Sequence, residues 1–275
     1  MTAAISTAPS SIAERFDRDG FVFPLTAMSG AEAADYRAKL EAAEAQHATD
    51  PEFRKCLRRY PNLLLPFVDE VTRLPAITDA VAEILGPDLL VLDPPFFIKE
   101  PRTPHFVSWH QDLHYWGLEG EDEVTAWVAL TPATVENGCM RFVAGSHRQT
   151  VEHIDTHAEQ NLLTRGQELA VEVDESEASD VELQAGQFSL HHGRVFHASH
   201  ANASNDRRIG LAIRYIPARM TQIAGGQMAA MLVRGEDRFG NFRECRPPSG
   251  VFMPKDLEHW RDMQGARDKV IYRQT

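Results

Sequence analysis

Between residues 88 and 217 the sequence breaks into short apolar stretches, each bounded by turn residues: "DLLVL", "PFFIKE", "EVTAWVAL", "CMRFVAG", "ELAVEV", "VELQAG", "QFSLHH" and "RIGLAIRYIP". Short runs of this kind, separated by turn signals, are how the strands of a β-sandwich or barrel read. The first 87 residues have a different texture. In "SSIAERFDRDGF", Ser10 or Ser11 can cap a helix, Glu14 stands at capping-box spacing from Ser11, and Gly20 stops it. Ser29 caps a second helix, "GAEAADYRAKLEAAEAQ", and "LPAITDAVAEILG" predicts a third, closed by Gly86 and Pro87.

The expectation is therefore one domain over residues 1–275: a mostly helical part (1–87), a strand-rich core (88–217) and a C-terminal extension or lid (218–275). The polar stretch 148–167 reads as a covering loop with a short helix, and "EVDESEASDVE" as a solvated loop. With 43% hydrophobic and 25% charged residues, an ordinary globular core is expected. The formal net charge of −12 argues against a nucleic-acid partner, which calls for a basic surface, while leaving room for a local basic pocket. Cys56, Cys139 and Cys245 are far apart and form neither a disulfide framework nor a zinc motif, which points to a reducing, cytoplasmic setting. No signal peptide is read at the N-terminus, and no apolar run approaches the roughly 18 residues of a membrane helix.

The stretch "SWHQDLHYW" places His110 and Asp112 two residues apart. On a strand, such positions share a face, so an imidazole and a carboxylate can reach one point. A non-haem iron site needs two imidazoles and one carboxylate on one face of an octahedron. "HHGRVFHASH" offers His191, His192, His197 and His200 as the second imidazole. If residues 207–216 form a strand, Ile209, Leu211, Ile213 and Tyr215 make a plain core face, opposite Arg208, Gly210, Ala212 and Arg214. A cation followed by two small residues suits an inner wall that holds an anion and leaves room for it. An arginine fork grips a carboxylate bidentately, and Ser199 can add a hydroxyl.

These pieces resemble the phytanoyl-CoA dioxygenase-like branch of the iron(II)/2-oxoglutarate oxygenases. "FDRDGFVFPL", "IKEP", "HQDLHY", "TAWVAL", "NGCMRFVAGSHR" and "HASHANASNDRR" are similar to segments of that family and stand in its order, from Phe16 to Pro217. The resemblance implies a double-stranded β-helix (jelly-roll, cupin-like) core with N-terminal and flanking helices. It selects His197 over His200, because Arg208 lies eleven residues beyond His197. It implies that His110, Asp112 and His197 bind Fe(II), and that Arg208, helped by Ser199, binds the distal carboxylate of 2-oxoglutarate. Lys99 stands where such proteins keep a pocket lysine, and Thr125 and Trp127 lie on the strand that lines the cosubstrate pocket. "HQD" followed by Trp116 is also similar to the ectoine hydroxylases, which makes Trp116, with Gln111, His114 and Arg165, a candidate for the substrate pocket.

The implied reaction is hydroxylation of an unactivated C–H bond with O2 and 2-oxoglutarate, giving succinate and CO2. Halogenases of the family lack the carboxylate ligand, so Asp112 argues against halogenation. A non-catalytic jelly-roll metal binder explains the histidines but not Arg208 beside two small residues. Polar and aromatic candidates (Lys99, His114, Trp116, Arg58, Arg59 and Arg165) tilt the substrate toward a small polar or zwitterionic molecule. An amino acid, a betaine-like compound or an aminophosphonate fits; an acyl-CoA or a lipophilic natural product is the alternative.

Overall fold

The structure is a computed structural model that describes residues 10–163, 165–223, 225–226 and 228–271. Helix α1 (Ile12–Asp19) opens on a capping box: the Ser11 hydroxyl accepts from the Glu14 amide, and the Glu14 carboxylate accepts from the Ser11 amide. It ends at Gly20, where φ is +83°, and strand β1 (Phe21–Thr26) follows directly. Ser29 and Glu32 form the same box at the start of α2 (Gly30–Gln46). Each box satisfies amide groups that a helix start otherwise leaves unpaired. The helices α3 (Pro51–Cys56), α4 (Pro66–Thr72) and α5 (Pro75–Leu85) all begin with proline, whose fixed φ and missing N–H suit the first turn. The predicted helices correspond to α1, α2 and α5; α3 and α4 come in addition.

The strands that follow are β2 (Leu89–Val91), β3 (Phe96–Lys99), β4 (Val107–His110), β5 (Leu118–Glu119), β6 (Val124–Ala129), β7 (Met140–Val143), β8 (His153–Asp155) and β9 (Gln167–Leu169). Next come β10 (Ala178–Val181), β11 (Gln187–His192), β12 (His197–Ser199), β13 (Arg208–Pro217), β14 (Thr221–Gln222), β15 (Ala229–Arg234) and β16 (Arg243–Glu244), then helix α6 (Pro254–Ile271). The larger sheet has 8 strands in the order β1-β11-β6-β13-β2-β15-β16, with β3 pairing the first half of β13. The second has 4, in the order β10-β7-β12-β4. Apart from the parallel β15–β16 pair, the pairings are antiparallel. This is a jelly-roll core with a helical layer on one side.

The alternation along β13 separates two cores. Ile209, Leu211, Ile213 and Tyr215 join Val124, Ala126, Val128 and the helix residues Phe16, Leu40, Phe53 and Ile77 in one cluster. Ala212 joins Trp127, Phe142, Val181 and Val195 in another, between the two sheets. Gly210 is small for a reason different from the one expected. A Cβ there would lie 1.9 Å from the Trp127 ring, so its space is filled by the indole rather than left open for an anion. Gly210→Ala should therefore destabilise the protein by about 3 kcal/mol, the upper range of overpacking, as read from the urea midpoint. An unchanged midpoint would show that indole and strand separate freely.

Three expectations are corrected here. The strands reach beyond 88–217 on both sides, since β1, β15 and β16 belong to the larger sheet. "ELAVEV" and "VELQAG" are only partly strand: the first gives Glu168 and Leu169 to β9, the second Val181 to β10 and an isolated bridge from Leu183 to Ala133, and between them Asp174 accepts from the Ser176 amide at the head of a single 3-10 turn. The 148–167 stretch carries the β8–β9 ribbon, with no α-helix among its described residues. The C-terminal segment packs firmly: Trp260 of α6 is 1% exposed, and its indole N–H donates to the Arg59 carbonyl at 2.8 Å. Among the described residues no helix is long and apolar enough to cross a membrane, and all three cysteines are buried free thiols.

Candidate active site

The antiparallel pairing of β12 with β4 sets His197 directly opposite His110. The two imidazoles face each other at 3.9 Å between ring centroids. Asp112 arrives by a route other than the strand alternation expected. β4 ends at His110, and Asp112 stands in αR conformation at the head of a 3-10 turn. Its Oδ1 lies 3.4 Å from His110 Nε2. Ligand atoms of His110, Asp112 and His197 all lie within 4.8 Å of one another, close enough to hold one metal ion.

Each imidazole is oriented from behind. His110 Nδ1 donates to the Ser108 carbonyl at 2.9 Å, with the His197 carbonyl at 3.1 Å, and His197 Nδ1 donates to the Val195 carbonyl at 3.0 Å. Those bonds fix the tautomer that leaves Nε2 free to ligate. Burial keeps His197 far below the ordinary imidazole range and therefore neutral. Burial pushes the Asp112 carboxyl up, but its hydrogen bond with His110 and the charges of Arg214 and His197 outweigh this and hold it below the carboxylate range. Two imidazoles and one carboxylate, buried and pre-oriented, fit an ion of the Fe(II) type with positions left open.

A cationic end lies beside this set. Arg208, 1% exposed, donates to the Gly138 carbonyl at 2.6 Å, and its guanidinium sits 5.2 Å over the Trp127 ring. Lys99 is its cross-strand partner, fully buried, and donates to Ser199 Oγ at 2.7 Å and to the His200 carbonyl. Among the described residues neither cation has an ion-paired carboxylate, and Arg208 Nε has no acceptor. Burial and the Arg208 charge push the Lys99 ammonium down to about 6. Thr125, Trp127, Ser199 and Arg208 line one cavity together with His110, Asp112 and His197.

A second cavity shares Phe97, His110, Asp112 and Arg214 with the first and is also lined by Trp116, Arg58, Leu163 and Arg267. Trp116 is 7% exposed, with the Arg214 guanidinium 4.5 Å from its ring. The other substrate candidates lie elsewhere. The Gln111 amide is committed to the Gln149 and Arg194 carbonyls, both at 2.7 Å. His114 is on the surface, stacked on His153, and Arg165 pairs with Asp155. None of the three lines either cavity. His200, the alternative imidazole, is exposed beside Arg141, and Arg207, next to Arg208 in the chain, binds Glu44 and Glu100, so neither enters the site. Sequence reading weighed His191 only as a ligand; it lines the first cavity beside the metal set and is pushed down to about 4 by burial. Sequence reading missed Arg267, which α6 brings in from the unmatched tail, and gave Arg214 only a place on the inner face of β13.

The phytanoyl-CoA dioxygenase (PhyH) family profile matches residues 16–210. The apo structure of the non-heme monooxygenase ThoJ is 37% identical, covers 96% of this chain and 98% of its own, and superposes with a TM-score of 0.87. A probable alpha-ketoglutarate-dependent hypophosphite dioxygenase of Stutzerimonas stutzeri is 28% identical over 225 residues, 78% of this chain and 76% of that protein. CytC3 with Fe(II) and alpha-ketoglutarate shares the fold at a TM-score of 0.67 and 21% identity, over 92% of this chain and 98% of its own.

Proposed function

The chain belongs to the phytanoyl-CoA dioxygenase family of Fe(II)/2-oxoglutarate-dependent oxygenases, and from that premise we propose that it hydroxylates an unactivated C–H bond of a small polar or zwitterionic metabolite. An amino acid, a betaine-like compound or an aminophosphonate is the class in view. The observation that carries this reading is a buried His-Asp-His set beside two buried basic side chains, Arg208 and Lys99, that have no carboxylate of their own among the described residues. His110, Asp112 and His197 hold Fe(II), and Arg208, with Ser199 and Lys99, takes the distal carboxylate of 2-oxoglutarate. When bound, iron and cosubstrate activate O2 for insertion into a C–H bond, with release of succinate and CO2.

The chain's own residues supply orientation and exclusion of water. The Nδ1 bonds of His110 and His197 hold both ring planes before any ligand arrives. Trp127 backs the Arg208 guanidinium and keeps its fork turned toward the cavity. Trp116 and Arg214 form the wall on the other side. Anaerobic addition of 2-oxoglutarate to the Fe(II)-loaded protein should produce a visible charge-transfer band, and admission of O2 should yield succinate. An iron-loaded chain that takes up no 2-oxoglutarate would instead be a metal-binding jelly roll without catalysis.

Lys99 gives this binding a pH dependence of definite sign. An anion beside it favours the ammonium form, so binding raises its pKa above the ligand-free value of about 6. The bound state then holds more protons than the free state above that pH, and affinity falls as pH rises from about 6 toward alkaline values. Calorimetry of the metal-loaded protein in buffers of different ionisation enthalpy should register proton uptake. Lys99→Met should flatten the profile; an unchanged profile in that variant would exclude Lys99 as its source.

A further inference from the structure

Three parts of the chain far apart in sequence bring an arginine each to the second cavity: Arg58 just after α3, Arg214 on β13 and Arg267 on α6. Their side chains are held in place from the sides. The Arg58 guanidinium lies 4.9 Å from the Phe97 ring and donates to the Leu162 carbonyl at 2.6 Å; Arg214 lies 4.5 Å from the Trp116 ring. Stacking on a ring holds a guanidinium flat and leaves its N–H edge for a ligand.

The charges around them do not balance. Arg58 forms no ion pair among the described residues, and Arg214 Nε has no acceptor. The buried carboxylate between them, Asp93, stands off at 3.8 Å from Arg214 and 3.6 Å from Arg267, with its Oδ1 taken by the Tyr60 amide at 2.7 Å. Asp268 approaches Arg267 at 3.7 Å but belongs to Arg59, at 2.8 Å. Among the described residues, Arg58, Arg214 and Arg267 thus share Asp93, with Asp268 turned to Arg59, and burial pushes the Glu123 carboxyl near Arg214 well up, toward its neutral form. Asp112, which also lines this cavity, belongs to the metal set. Burial, and then the charge of Arg214, push Arg58 down to about 10, as expected of a cation short of counter-charge. A cationic surplus held away from water in a chain of net charge −12 is unfavourable unless an anion completes it.

We propose that Arg58, Arg214 and Arg267 seat an anionic group of the substrate, a carboxylate or a phosphonate, next to the metal set. This deepens the hydroxylase reading and rests on it. The shared wall of His110 and Asp112 places the reacting carbon within a few bonds of that anion. The hypophosphite named for the Stutzerimonas relative is itself an oxyanion.

The test uses three probes of equal length, butylphosphonate, pentanoate and butyltrimethylammonium, titrated anaerobically into the Fe(II)- and 2-oxoglutarate-loaded protein while the charge-transfer band is followed. Both anions should perturb the band, and the cation should not; the stronger of the two anions identifies the headgroup. Arg267→Gln and Arg58→Gln should weaken the anions about 10- to 100-fold, the range of a lost charge-assisted bond, with 2-oxoglutarate affinity unchanged. Cation binding as tight as anion binding, or wild-type anion affinity in both variants, overturns the proposal. If no band forms at all, the oxygenase reading falls, and calorimetry of the same probes on the metal-free chain still decides whether the arginines seat an anion.

Discussion

Asp112→Ala is expected to lower succinate formation from 2-oxoglutarate by about 10³-fold or more, equivalent to roughly 4 kcal/mol of lost transition-state stabilisation. Removing Asp112 takes the only carboxylate from the metal set, so Fe(II) binding should weaken in parallel. The fold should survive, because Asp112 stands in a turn at the cavity rim and its side chain is not part of an apolar cluster. Asp112→Asn separates charge from shape. It keeps the volume and a carbonyl oxygen, and should retain part of the metal affinity while losing most of the turnover. Metal content by equilibrium dialysis and succinate release under O2 are the two readouts. Full activity in Asp112→Ala would refute the assignment of this triad.

Arg208→Met should raise the 2-oxoglutarate concentration needed for half-maximal turnover by about 100-fold, the scale of a lost bond between charged groups. A second consequence has the opposite sign. In the ligand-free protein, Arg208 is a buried cation whose Nε lacks an acceptor and whose cross-strand neighbour is the basic Lys99. Methionine keeps much of the apolar contact with Trp127 and removes that unpaired charge. The melting temperature of the free variant should therefore equal or exceed that of the wild type, while its stabilisation by 2-oxoglutarate disappears. A residue with a purely structural role would lose stability in both states.

His110, Asp112 and Arg208 could be picked out of the sequence because each is tied to a local signal, whereas His197 was chosen among four histidines only through the family resemblance. His110 and Asp112 sit two apart, and Arg208 starts a strand whose alternation is visible in its letters. The reason offered for Asp112 was nevertheless wrong, since a turn delivers it and not a strand face. Gly210 shows the same limit: that the position must be small is legible, but the indole that makes it so comes from β6 and is known only once the strands pair. Arg267 had no local signal at all. It enters through α6, docked by Trp260 against the carbonyl of Arg59, a contact across 201 positions that no periodicity encodes. Gln111, His114 and Arg165 stand near the ligands in the chain or in a polar loop, yet their side chains serve other partners, because closeness in sequence does not fix which way a turn points them.

Strand β13 also acts as a ruler. Arg208 and Arg214 lie on its same face six residues apart, roughly 20 Å at the rise of an extended chain. Both line the first cavity with the metal set, and Arg214 alone of the two also lines the second, so one marks the cosubstrate end of the proposed site and the other its substrate end. Inserting two residues between the arginines would preserve which face each presents but lengthen the ruler by about 7 Å, so the gap between cosubstrate and substrate is a dimension written into a single strand.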